Sequence, residues 1–155
     1  MKFQSIVAID RRRGFSYKNR IPWKPNKYDM ISFKLKTKGN IVIMGRRTYE
    51  SLPGPLGDRY NIVVGSISFP GVKCVDTFEK AVAFAKTLPY DSCYFIGGES
   101  IYRKCMDMCD VHHVTFHNEY DGPCDKFYPP IPKNFAVTTR DKYDYISIVE
   151  YTRQI

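Results

Sequence analysis

Residues 40–52 read NIVIMGRRTYESL, and the fold turns on how that stretch divides. Ile41, Val42, Ile43 and Met44 are apolar at consecutive positions. A strand with one face in water would alternate, so this run reads as a strand covered on both faces. Such strands sit in the middle of parallel sheets flanked by helices. Gly45 ends the run, and residues 46–52 form a short helical segment that stops at Pro53, where the ring removes a donor and clashes with the preceding turn. Strand, glycine corner and helix together are the repeating unit of an α/β fold.

The same grammar extends both ways. Further strands are predicted at 2–9, 60–65, 72–75, 92–97, 110–117, 135–139 and 145–152, with those around Ile62 and Phe95 again apolar on both faces. A turn near 140–144 joins the last two strands as an antiparallel hairpin. Helices are predicted at 26–37, within DTFEKAVAFAKT (76–87), and at GGESIYRKCM (97–106). In the second of these, Asp76 and Glu79 have the spacing of a capping box, and Phe78, Ala81, Val82 and Ala85 form an i, i+3, i+4, i+7 stripe. The expectation is one domain over residues 1–155. It is a three-layer α/β/α fold with a mixed, mostly parallel eight-stranded sheet and a C-terminal antiparallel hairpin.

A chain of 155 residues can bury one sizeable core without metal or disulfide support. Its N-terminus, MKFQSIVAIDRRRG, places arginines after a short apolar run, which reads as a strand rather than a signal peptide. No run approaches the length of a membrane span. Five cysteines without a CxxC pair read as reduced thiols of a cytoplasmic protein. Ile101, Cys105 and Cys109 recur every four residues as a buried stripe, so Cys105, Cys109 and the nearby histidines are not expected to hold a metal. The formal net charge of +8 favours anionic partners. Single-stranded nucleic acid would need aromatic platforms beside the basic residues, whereas Trp23 and Phe33 fall in pocket positions, so no nucleic-acid partner is expected.

One acid stands out. Between Asp10 and Glu50 the only carboxylate is Asp29, amid Arg11, Arg12, Arg13, Arg20, Lys24, Lys27 and Lys34. At 100° per residue it shares a helical arc with Met30 and Phe33. An acid on an apolar face anchors a ligand or pairs with a buried base, although the favourable field at a helix N-terminus explains it equally well. Gly45 and the Gly97–Gly98 pair each stand at a strand–helix corner, where free backbone N–H groups suit phosphate. The two corners are expected at the two ends of a dinucleotide. The G-x-G-x-x-G fingerprint is missing, as are the GxSxG, GxxxxGK[ST] and HExxH motifs. A lone acid with phosphate-suited corners and no nucleophile leaves the hard step to a cofactor.

Six segments in order, IVAID, IPW with an acid six residues past Trp23, IVIMGRRTYESL, PLGDRYNIVV, FIGGESIY and VTFH, make the chain similar to the dihydrofolate reductase family. The resemblance implies an NADPH-dependent, monomeric, cytoplasmic enzyme that reduces dihydrofolate to tetrahydrofolate in support of thymidylate and one-carbon metabolism. It implies that Asp29 holds the pterin, that Thr115 orients that carboxylate, and that Trp23 closes over the site on a mobile loop (11–25). Ile6, Ala8, Met30, Phe33, Lys34, Leu52, Arg59 and Ile96 would complete the substrate site, with Arg59 clamping the α-carboxylate. Ala8, Ile9, Gly14, Asn19, Ile21, Gly45, Arg46, Arg47, Thr48, Ser66, Ile96, Gly97, Gly98, Ser100, Ile101 and Tyr102 align with cofactor-contacting positions.

Some positions depart from the family's pattern. Tyr49 replaces a common tryptophan, and Gly65-Ser66 stands where Ser-Arg is usual. Lys126 follows Asp125 at a loop-bracing position. Glu99 at the second glycine corner is expected to face solvent, because turned inward it would repel a pyrophosphate. A pyrimidine reductase of riboflavin synthesis shares this kind of fold and cofactor; the IPW-x5-D unit and the PLGDRYN arginine favour folate.

Overall fold

Ile41, Val42, Ile43 and Met44 have no solvent exposure, as a strand covered on both faces requires. The computed structural model describes residues 1–155. In chain order its elements are β1 (Lys2–Ile9), β2 (Gly14–Ser16), α1 (Lys27–Thr37), β3 (Ile41–Gly45), α2 (Arg46–Glu50), β4 (Tyr60–Val64), β5 (Lys73–Val75), α3 (Phe78–Ala85), β6 (Ser92–Phe95), α4 (Glu99–Cys105), β7 (Val111–Phe116), β8 (Lys126–Phe127), β9 (Phe135–Tyr143) and β10 (Ile146–Arg153). Eight strands form one sheet in the order β5-β4-β3-β6-β1-β7-β10-β9. Neighbours from β5 to β7 run parallel, while β10 lies antiparallel to β7 and to β9.

Each face of the sheet has its own core. Ile41, Ile43, Ile62, Cys93 and Phe95 pack with Phe78 and Ala81 of α3 and with Ile101, Tyr102 and Cys105 of α4. On the opposite face Ile6, Val42, Met44, Val63 and Tyr94 pack against Phe33 of α1, Tyr49 of α2 and Leu52. The expected α/β/α layering follows directly from this alternation. Tyr49 rests on Phe69 at a ring-centroid distance of 4.9 Å, a packing role for that departure.

Several local expectations change. The α3 cap is Thr77, whose side chain accepts from Lys80 N at 3.1 Å, while Asp76 instead pairs with Lys80 Nζ at 2.9 Å. The C-terminal hairpin is longer than predicted and turns on Asp144 and Tyr145 alone, with Tyr145 at φ 69°. The stripe through Cys109 outlasts its helix, since α4 ends at Cys105 and Cys109 lies buried one turn beyond. Most consequentially, β2 pairs antiparallel with β8 in a second small sheet that no alternation marked.

Polar groups inside the sheet are paired into local networks. Ser5 Oγ lies 2.6 Å from His112 Nδ1 and 2.7 Å from Tyr128 OH, and His112 Nε2 lies 3.1 Å from the Met106 carbonyl oxygen. Next along β7, His113 Nε2 lies 2.6 Å from Gln4 Oε1, whereas its buried Nδ1 has no hydrogen-bond partner. Burial drives the His112 pKa down to about 4 and that of His113 to about 3, with Lys36 and Lys2 adding to the latter. Both rings are therefore neutral at physiological pH. Glu150 comes within 3.4 Å of His113 Nδ1 but makes no hydrogen bond there.

Candidate active site

Asn26 starts α1 by accepting from the N–H groups of Tyr28 and Asp29. This cap places Asp29 in the first turn, where the helix dipole favours a negative charge. Its side chain also leaves the helix to meet a base: Asp29 Oδ2 lies 3.1 Å from Nε2 of His117. Both sequence readings of Asp29 thus hold at once. His117 follows β7, is buried, and has its ring stacked against Trp23 at a centroid distance of 4.3 Å and 16° between planes. Tyr120 meets Trp23 edge-on at 5.4 Å.

His117 was absent from the expected site, and Thr115 was given the orienting role. The structure places Thr115 on β7, opposite Ala8 of β1 and two residues before His117, so the two side chains share a face. The polar contact Asp29 makes at this end of the sheet is through His117, just past β7. The available signal was the period of two in the strand, which carries Thr115 and the residue two positions later to one side.

Ile6 and Ala8 of β1 border the same face. The Ile6 carbonyl already accepts from Tyr102 OH at 2.8 Å. Met30 is 60% exposed and Phe33 half-buried, so the apolar side of α1 opens outward beside Asp29. Arg59 lies farther along: its Nε donates to Gly57 O at 2.7 Å and its Nη1 to Thr37 Oγ1 at 3.1 Å, with the guanidinium 6.0 Å from the Phe33 ring. Two hydrogen bonds and one ring contact hold that fork and leave its other N–H donors available. Leu52 is half-buried on the same side of the sheet, and Lys34 is exposed.

The two glycine corners, expected at opposite ends of a ligand, touch each other. β3 and β6 are adjacent parallel strands, and Gly45 N donates to Gly97 O at 2.8 Å. The Gly97–Gly98 peptide is cis, and Gly97 has φ 116°. A Cβ at Gly97 would come within 3.2 Å of the Tyr102 ring, and one at Gly98 would lie 3.6 Å from Thr48 Oγ1. The corners therefore form one side-chain-free cradle at the carboxyl ends of the strands, where open α/β sheets bind nucleotides. Ile96 leads into this cradle from β6 and is half-buried.

Other positions expected at the cofactor fall into distinct settings. Arg46 packs over Gly65, where an added Cβ would sit 3.1 Å from the Arg46 Cβ, and its Nε meets Glu50 at 3.2 Å. That exposed i,i+4 pair is weak, so Arg46 can exchange partners. Arg47, Ser66 and Ser100 are exposed, and Arg47 forms no ion pair. Ile9, Ile101 and Tyr102 have their side chains in the core, which limits them to backbone contacts or to the cradle floor. Asn19 and Ile21 lie exposed on the Trp23 loop. Gly14 is buried, and its N–H donates to Asp10 Oδ1 at 2.8 Å.

Glu99 does not face open solvent, contrary to expectation. Its Oε2 accepts from Phe127 N at 2.9 Å and its Oε1 meets Arg103 at 3.0 Å. It is thereby tied to β8 and to its own helix.

An α/β sheet with a bare glycine cradle and a lone acid among apolar side chains suits a cofactor-dependent oxidoreductase, and no group of three or more His, Cys, Asp or Glu residues is placed to hold a metal. A family model described as dihydrofolate reductase matches residues 2–153. The chain is 35% identical over 134 residues to the dihydrofolate reductase of Haemophilus influenzae, covering 84% of this chain and 81% of that protein. It is 34% identical over 129 residues to that of Bacillus subtilis, covering 80% and 73%. A 37% match over 118 residues to the bifunctional dihydrofolate reductase-thymidylate synthase of Paramecium tetraurelia spans 73% of this chain and a quarter (25%) of that longer protein. The chain belongs to the dihydrofolate reductase family. It is an oxidoreductase that converts dihydrofolate to tetrahydrofolate with NADPH.

Proposed function

We propose that Asp29 is the carboxylate that grips the pterin, that Arg59 takes the substrate's α-carboxylate, and that the Gly45/Gly97–Gly98 cradle carries the phosphates of NADPH. The observation that carries this reading is the position of Asp29, on the half-buried edge of α1 beside Met30 and Phe33, with one oxygen turned to His117. NADPH supplies the hydride when bound.

The chain's own residues do the rest. Asp29 Oδ1 and the second lone pair of Oδ2 accept from the paired N–H donors of a pterin edge, which fixes the ring's orientation. Ile6, Ala8, Ile96 and Leu52 give that ring an apolar bed, and Lys34 adds positive charge toward the substrate's tail. Thr115 lies beside His117 on the face from which Asp29 is approached. Trp23 caps the acid side of the pocket and excludes bulk water, and a single water molecule would deliver the proton to N5 of the pterin C=N bond whose carbon, C6, would take the hydride. Arg47, Ser66 and a released Arg46 answer the adenosine 2′-phosphate, with Thr48 and Ser100 beside the cradle. The remaining loop positions, Gly14, Asn19 and Ile21, border the cofactor on closure.

We further read residues 1–155 as one catalytic domain, acting as a monomer in the cytoplasm without a nucleic-acid partner. No helix is long and apolar enough to cross a membrane. The direct test mixes purified protein, NADPH and dihydrofolate and follows absorbance at 340 nm. Dihydrofolate-dependent loss of absorbance is expected, and a flat trace with folded protein would overturn the reading. Size-exclusion chromatography with light scattering reads the monomer, and a filter-binding assay with single-stranded DNA at low salt reads the absence of a nucleic-acid partner.

A further inference from the structure

His117 is the buried titratable group that touches both the proposed substrate carboxylate and the loop bearing Trp23. We propose that His117 is a positioning residue of this reductase: its Nε2 selects one orientation of the Asp29 carboxylate while its ring face seats Trp23, so that one side chain sets both. The proposal rests on Asp29 being the pterin carboxylate.

The backbone that carries the imidazole is itself held in place: His117 N donates to Ile9 O at 2.8 Å, and Tyr120 N donates to His117 O at 3.2 Å. An ionised carboxylate only accepts, so Nε2 carries the hydrogen in the neutral ring. A carboxylate has a broad terminal torsion, and a donor on Oδ2 alone narrows it while leaving Oδ1 free. Trp23 lies nearly parallel to the imidazole, so its indole face reads the ring's charge as well as its position.

The other ionisable groups nearby are Lys36, two turns along α1 and in the field of Asp29; Tyr102, whose phenol burial keeps neutral and which also feels Asp29; and Tyr120 across Trp23. Asp10, next to Ile9, is turned to the loop amides of Arg12 and Gly14.

The test uses His117→Phe, which keeps a flat ring without a donor, and His117→Gln, which keeps an N–H donor without the ring. His117→Phe is expected to raise KM for dihydrofolate about tenfold, the scale of one hydrogen bond to a charged group, with a smaller change in kcat. His117→Gln should recover most of that loss. Emission of Trp23, the sole tryptophan, should change in both variants, since each replaces the imidazole on which the indole stacks.

Unchanged KM together with unchanged Trp23 emission in His117→Phe would overturn the proposal. Should that variant fail to fold, His117→Gln decides: unchanged Trp23 emission, or a KM raised the full tenfold despite the retained donor, sinks it. Asp29→Asn separates the two readings. If it is impaired while His117→Phe is silent, only the proposal fails; if it is silent, the assignment of Asp29 falls and the proposal with it.

Discussion

Acid should weaken this fold well before its carboxylates titrate, because β7 carries two neutral histidines in the sheet. His112 and His113 have folded-state pKa values of about 4 and about 3, both depressed by burial. In the unfolded chain an imidazole takes its proton near pH 6.5. The unfolded state therefore binds more protons below that value, and stability falls with pH. The contribution is fully present above about pH 6.5, erodes below it, and is exhausted once the folded pKa values are passed. Over the roughly 1.5 units from pH 6.5 to 5, one proton at about 1.4 kcal/mol per unit amounts to about 2 kcal/mol per histidine, or about 4 for the pair. That is a large part of an ordinary domain's 5–15 kcal/mol. Urea unfolding followed by far-UV circular dichroism at about pH 7 and pH 5 reads the drop, and His113→Gln should remove roughly half of it. A drop below about 1 kcal/mol, or an equal drop in the variant, would refute neutral burial of these rings.

Four further outcomes are expected. Asp29→Asn should keep the fold but lose at least about two orders of magnitude in turnover at neutral pH, read at 340 nm. Arg59→Ala should raise KM for dihydrofolate by about 10- to 100-fold, the worth of a charge-assisted pair, and leave NADPH affinity by fluorescence titration within about twofold. Replacing NADPH with NADH should raise the cofactor KM at least about tenfold, since Arg47 and Ser66 lose the 2′-phosphate; equal values would show that no such site exists. Gly14→Ala would bring a Cβ within 2.5 Å of Cys124 Cβ and Sγ and should cost about 1–3 kcal/mol of overpacking by thermal melt, with Cys124→Gly in the same chain recovering most of it.

What the sequence made legible was whatever recurs with a short period or carries a motif. The apolar run through Ile43 revealed a central strand because burial on both faces leaves no polar position to disguise it. Asp29 was visible because it is isolated among cations and shares an arc with Phe33. His117 was not, since its role depends on a tertiary contact with Asp29 between residues 88 positions apart. The β2–β8 pair escaped for a related reason: strands of three and two residues are too short to show alternation. The position of Glu99 was hidden for the same reason, because the N–H of Phe127 that holds it lies 28 residues away in sequence.

Acids outside the pocket explain how a strongly basic loop is fixed without crowding the pocket with negative charge. Asp10 accepts from Arg12 N and Gly14 N at 2.8 Å each, Asp125 accepts from Lys18 N at 3.0 Å, and Glu99 anchors β8, on which β2 is zipped. Each carboxylate takes a backbone N–H, so the bracing survives changes in the surrounding side chains. Lys126 pairs with Ser16 through the backbone, which makes its side chain dispensable at that bracing position. The anchoring carboxylates stop at Lys18. Lys18 and Asn19 both have positive φ, at 50° and 62°, and Asn19, Arg20 and Ile21 are exposed. Trp23 then regains the body of the protein through rings alone, against His117 and Tyr120. The loop is thus fixed by charge on one side and by stacking on the other, and only the stacked side lies over Asp29. A change in the imidazole is therefore felt where the substrate carboxylate and the loop meet, while the braced half stays where Asp10, Asp125 and Glu99 hold it.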